Sequence, residues 1–141
     1  MSNTVQAKSA APARRTEPVP VTLEVVRAAI GADVVWCPDL TAPVTGVVAA
    51  DLMSDVLVDA RPGCVLVTGL ANIQTIRTAA IADLAAVVFV RGKAIPPEVL
   101  ALARETKMPV FISQRSLFDA AGRLYATLAA QPADRGEQRQ V

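Results

Sequence analysis

Histidine is absent from all 141 residues, and cysteine occurs only twice. Without an imidazole there is no Ser–His or Cys–His pair to activate a nucleophile, so only a Ser–Lys variant of that chemistry stays formally open. Cys37 and Cys64 stand 27 positions apart. With no histidine to complete a ligand set, they exclude a structural zinc site. Both lie in apolar, β-like runs and read as small core residues of a reducing cytoplasm rather than as a disulfide. Aromatic residues make up only 4% of the chain, so Ala, Val, Leu and Ile must build the core.

Charge is scarce and balanced, with 14 basic and 13 acidic residues and no basic run longer than Arg14-Arg15. Nucleic-acid binders concentrate Lys and Arg into a stripe, so no nucleic-acid partner is expected. No run of about 18 apolar residues exists, which excludes a spanning helix. No apolar segment follows Arg14-Arg15, which argues against a secretory or twin-arginine signal. The expected location is the cytoplasm, away from membranes. Neither G-x-x-x-x-G-K-[ST] nor G-x-G-x-x-G occurs, so both common glycine-rich phosphate cradles are missing. No cofactor and no metal are expected.

What is present is patterning. The apolar fraction of 52% exceeds the usual 45–50% or so and suits helix-on-sheet layers, with some apolar surface left for a partner. Residues 1–21 and 131–141 lack periodicity and read as disordered tails around one domain at 22–130. Thr22 can cap a helix with Leu23, Val26, Ala29 and Ile30 on one face and Gly31 past its end. A short strand is expected at 33–37 and another at 47–50, after which Asp51 stands where a helix N-cap belongs. Leu52, Val56, Leu57 and Ala60 would form the apolar face of that helix, opposite Ser54, Asp55 and Asp59.

Three strand–helix units follow. Strands are expected at 64–68, 86–90 and 109–112, centred on Leu66, Val88 and Phe111, at spacings of 22 and 23 residues. Asn72 caps a helix carrying Ile73, Ile76, Ala80 and Leu84. Pro96-Pro97 opens a helix with Val99, Leu100 and Ala103. Ser116 and Asp119 start a last helix carrying Leu117, Ala120, Ala121, Leu124 and Leu128. Continuous apolar strands joined by single-helix, right-handed crossovers predict an α/β fold: a layered, mainly parallel sheet of about five strands covered by helices.

Ligands of such sheets bind outside the carboxyl ends of the strands. The residues expected there are Asp51, Thr68 and Asn72, Arg91 and Lys93, then Ser113, Arg115 and Ser116. Helix N-termini and cations on one polar edge are physically able to hold a nucleotide or other anion. Such loops are polar in every protein of this architecture, however, and Asn72 and Ser116 already have capping roles. Asp51 and Asp55 stand four apart on one helix turn, but acid–base work needs carboxylates in opposed environments, so a cap and a solvated residue are expected instead. Arg77 and Thr78 read as a solvated helix face. Gly122 sits mid-helix, at a cost of about 1 kcal/mol relative to Ala, and close approach of a neighbouring element would explain it.

Three groups of residues resemble the DRTGG domain family: Val44-Thr45-Gly46, Ala50-Asp51-Leu52-Met53-Ser54-Asp55-Val56 and Val67-Thr68-Gly69-Leu70-Ala71-Asn72-Ile73-Gln74. Ala85-Ala86-Val87-Val88-Phe89-Val90-Arg91-Gly92-Lys93 and Leu117-Phe118-Asp119-Ala120-Ala121-Gly122-Arg123-Leu124-Tyr125 extend the likeness to about residues 22–128. The segment Ala42-Pro43-Val44-Thr45-Gly46-Val47 keeps the Thr-Gly of the naming motif but not its Asp-Arg lead or second glycine. Domains of this family are similar to the N-terminal domain of HPr kinase/phosphorylase. They occur as modules in some phosphotransacetylases and CBS-containing pyrophosphatases, and alone beside redox gene sets. The resemblance implies a non-catalytic regulatory or assembly module, a homodimer, and a possible enzyme-complex partner. A small-ligand sensor is the alternative it leaves open. The kinase half is not present.

Overall fold

The computed structural model of the chain describes residues 20–130. The expected tails therefore lie outside the described residues, apart from the last two positions of the first. There, Val21 is buried and its carbonyl accepts a 2.9 Å bond from Val44 N. The folded domain thus begins before Thr22.

Helices and strands alternate along the chain: α1 (Leu23–Ile30), β1 (Asp33–Trp36), β2 (Gly46–Ala49), α2 (Met53–Asp59), β3 (Cys64–Thr68), α3 (Ile73–Ile81), β4 (Ala86–Phe89), α4 (Pro97–Glu105), β5 (Val110–Ile112) and α5 (Leu117–Ala129). Every residue of β3 and β4 is buried, as their unbroken apolar sequences require of strands covered on both faces. The five strands form one sheet in the order β1-β5-β4-β3-β2. From β2 to β5 all pairings are parallel, with Val47 opposite Val65, Val67 opposite Val88, and Val88 opposite Phe111. β1 is antiparallel to β5, and its register shifts between Val34 and Trp36. The sheet is therefore mixed, mainly parallel with one antiparallel edge.

The order of the strands dictates where the helices go. Each step from β2 to β5 moves one place in the same direction, so crossovers of one hand put α2, α3 and α4 on one face. Met53, Val56, Ile76, Ala79, Val99 and Ala103 there pack on Leu66, Val87, Phe89 and Val110. Outside those crossovers, α1 and α5 cover the other face, where Leu23, Val26, Ile30, Ala120 and Leu124 meet Val65, Val67, Val88 and Phe111. The strand period of two splits Val65 and Val67 from Cys64 and Leu66, so each strand feeds both cores.

Three helix caps follow the local pattern. Thr22 Oγ1 accepts from Val25 N at 3.3 Å, Asn72 Oδ1 from Thr75 N at 3.0 Å, and Ser116 Oγ from Asp119 N at 3.1 Å. Helix phase differs from expectation at several positions. Leu52 and Leu57 are exposed, and Met53 joins the expected Val56 in packing α2. On α3 the buried set is Thr75, Ile76, Thr78 and Ala79. Ala80 therefore faces outward and Thr78 inward, because one residue turns a helix by about 100°. Both cysteines are free; Cys64 is buried and Cys37 half-buried.

Candidate functional site

Because β2 to β5 run parallel, the residues that follow them converge on one edge of the sheet. Asp51 was expected to cap α2. Leu52 holds that position instead, with no side-chain cap bond. Asp51 Oδ1 accepts from Thr68 Oγ1 at 3.0 Å and from Gly69 N at 2.8 Å. The reason lies in the sheet. Ala50 N donates to Val67 O at 3.1 Å, so β2 stays paired with β3 to its last residue and delivers Asp51 to the donors at the end of β3. The Gly69 N–H holds the Asp51 carboxyl below the usual carboxylate range. Partial burial opposes that, while the Thr68 hydroxyl and the charges of Arg91 and Lys93 reinforce it. Thr68 is fully buried, and its Oγ1 also accepts from Leu70 N at 3.1 Å.

The turn after β4 is held in an unusual backbone conformation. Arg91, with φ of 60°, lies in the left-handed region, which L-residues with a Cβ enter at a cost. Its N–H donates to Arg115 O at 2.8 Å, and the next N–H, of Gly92, donates to Ser113 O at 2.9 Å. A Cβ on Gly92 would collide with the Gln114 side chain. This turn brings Arg91 Nη2 within 3.1 Å of where a Cβ on residue 69 would stand, with Asp51 Oδ1 at 3.6 Å from the same point. Arg91 and Lys93 are exposed, and among the described residues no ion pair engages either.

Ser113 and Arg115 serve a different purpose. Ser113 is fully buried, and its Oγ donates to Ile30 O at 3.2 Å while accepting from Arg115 N at 3.2 Å. Arg115 Nε donates to the same carbonyl at 3.1 Å, and its Nη1 to Asp119 Oδ2 at 2.8 Å. These side chains satisfy an orphan carbonyl at the end of α1 and place a cation at its negative pole. Asp119, read from sequence only as part of a cap, also accepts from Arg123 at 3.0 Å. The Arg115 bond, foremost, lowers its carboxyl pKa. Asn72 and Ser116 are occupied as caps.

The candidate residues thus fall into distinct groups. Asp51 and Thr68 brace β2 to β3, while Ser113, Arg115, Ser116 and Asn72 close helix ends. Arg91 and Lys93 are left facing solvent. Asp55 is exposed on α2 and shares none of the partners of Asp51. Gly69, not among the expected site residues, is where Asp51 and Arg91 come together. Its signal was a single glycine directly after a buried strand. Among the described residues, no three His, Cys, Asp or Glu side chains are placed to hold a metal ion. No described helix is long and apolar enough to cross a membrane.

At the opposite, amino end of the strands, Thr45 N donates to Gly63 O at 3.0 Å and Thr45 Oγ1 to Pro62 O at 2.8 Å. Gly46 lies opposite Cys64, whose Sγ would be 3.2 Å from an added Cβ. Thr45 and Gly46 therefore fasten the start of β2 to β3.

The fold has a solved counterpart. It is similar to the CBS and DRTGG domains of the regulatory region of Clostridium perfringens pyrophosphatase, whose crystal structure holds the activator diadenosine tetraphosphate. The TM-score is 0.60 at 16% identity, with 73% of this chain and 45% of that one covered. This chain therefore spans less than half of that regulatory region, and the likeness is one of fold. No curated protein matches the chain. The DRTGG domain matches residues 25–127, from within α1 almost to the end of α5. The chain belongs to the DRTGG domain family.

Proposed function

We propose that this chain is a non-catalytic regulatory or assembly module that forms a homodimer and serves a metabolic or redox enzyme system in the cytoplasm. The observation that carries this reading is what the polar groups of the carboxyl edge do. Asp51, Thr68, Ser113 and Arg115 spend their hydrogen bonds joining one element to another. An active site needs the reverse, a nucleophile, acid or base held ready for substrate. Family membership supports the reading, as does the shared fold with part of a pyrophosphatase regulatory region. Light scattering at micromolar concentration tests self-association. A mass of twice 14.8 kDa supports it, and a mass of 14.8 kDa overturns it.

A second reading is favoured by one specific feature, the exposed and unpaired Arg91 and Lys93 at the strand ends. They suit the phosphates of a nucleotide or phosphorylated metabolite, bound near the first turn of α3. Asp51 lies against the same place and would repel an anion, so Arg91 must serve both. A thermal-shift panel of nucleotides and phosphorylated metabolites tests this. Ligand at 100 times Kd stabilises by about 2.7 kcal/mol. The shift should disappear in Arg91→Gln/Lys93→Gln. A panel without any shift, or a shift that survives both substitutions, contradicts the site.

A further inference from the structure

Helix α5 has apolar side chains on two opposite faces. Ala120 and Leu124 are buried in the core, with Leu117 and Leu128 packed beside them. Opposite them, Phe118 is 89% exposed and Tyr125 75% exposed. Helical spacing puts Gly122 on the same outer stripe as these two aromatics, with Ala121 and Ala126 on its flanks. A surface helix normally turns charged residues outward. Here Asp119 and Arg123 lie to one side and are bonded to each other.

Gly122 sharpens the point. Glycine weakens a helix interior, and such a position calls for a close neighbour. Among the described residues none is present, since an added Cβ would have nothing within 4 Å. Gly122 thus leaves open space at the middle of the outer stripe, where a second helix can approach closely.

Building on the proposed self-association, we infer that the outer stripe of α5 is the dimer seam and that its occupant is α5 of a second copy, antiparallel across a two-fold axis. The stripe is self-complementary in that arrangement. A two-fold axis between Ala121 and Gly122 puts the small residues at the crossing, where helices can approach closely. Phe118 and Tyr125, equidistant from that point, then each meet the other kind of ring across the seam, twice over. Asp119 and Arg123 are likewise brought near the opposite charge. Symmetric pairing of one patch with itself is the usual geometry of a dimer. Two Phe and two Tyr together bury roughly 600–1,000 Å² when fully covered. That is at least about half of the roughly 1,200 Å² at the lower end for a stable interface. The Ala and Gly surface and the charged shoulders along the helix, about 20 Å long, supply the rest.

Sedimentation velocity at micromolar concentration on the intact chain tests the seam, with wild type, Phe118→Asp, Gly122→Leu and Val58→Ser compared. Val58 is 82% exposed on α2 and serves as an apolar surface control. Wild type and Val58→Ser should sediment as dimers, and both α5 variants as monomers with wild-type circular dichroism. The milder Phe118→Ala should weaken dimerisation about a thousand-fold, from about thirty-fold at each of two symmetric aromatic contacts. A wild-type dimer that survives both α5 substitutions places the seam elsewhere and overturns the inference, while self-association stands. A wild-type monomer overturns both. Should Gly122→Leu fail to fold, Phe118→Asp still decides, because its side chain supports nothing within the fold.

Discussion

Asp51 stands two residues beyond the end of β2, and its carboxylate joins two strands. Removing it as Asp51→Ala takes an acceptor from the fully buried Thr68 hydroxyl and from the Gly69 N–H, which should cost about 1–3 kcal/mol in urea unfolding at neutral pH. Asp51→Asn keeps an oxygen for both donors and should cost less, but it should change the pH dependence. The wild-type carboxyl is held below its ordinary value in the fold. Its stabilisation is therefore complete above the unfolded pKa of about 3.9 and lost as pH falls through the lower folded value. Urea midpoints measured down the acid limb should thus fall less steeply in Asp51→Asn than in wild type, and equal slopes would contradict the assignment. The sequence placed Asp51 at the sheet edge, but its partners lie 17 and 18 residues away. Local patterning carries no trace of such partners, so a helix cap and a place on the ligand edge were the roles visible. The position of Arg91 over Gly69 was hidden in the same way, because it depends on a left-handed residue held by the carbonyl of Arg115.

Caps behave differently, because their bonds close within three residues. Thr22, Asn72 and Ser116 were each legible from a polar residue ahead of an apolar period, and each accepts the expected backbone bond. Asn72→Ala should therefore cost about 1 kcal/mol, measurable as a lower urea midpoint. No change would mean that the Thr75 hydroxyl, bonded to Leu70 O at 2.6 Å, holds the turn without it. The parallel strands were legible for a similar reason: burial on both faces leaves an unbroken apolar run. β1 was seen as a strand, but its direction is set by pairing with Phe111 and Ile112, far along the chain. Helix phase was legible only where large residues mark it. On α3, Thr75, Thr78 and Ala79 are small enough that the buried face left a weak pattern. On α5 the leucine period left Phe118 and Tyr125 off the expected apolar face, and both are exposed.

The sheet separates two cores, and the helices of each face are fixed by the order of the strands. Phe89 anchors one core and Phe111 the other, both fully buried. Truncating either to Ala should cost about 3–5 kcal/mol, a large part of a typical stability of about 5–15 kcal/mol. The two losses should be similar if the layers support each other equally. With the interior satisfied on both sides, Phe118 and Tyr125 remain outside on α5, where the proposed seam would cover them with a second copy. The decisive measurement is the molar mass of the unmodified chain over a dilution series from micromolar to nanomolar. A regulatory module that assembles with itself gives twice 14.8 kDa at the concentrated end and 14.8 kDa on dilution. A mass of 14.8 kDa throughout the series would contradict the account.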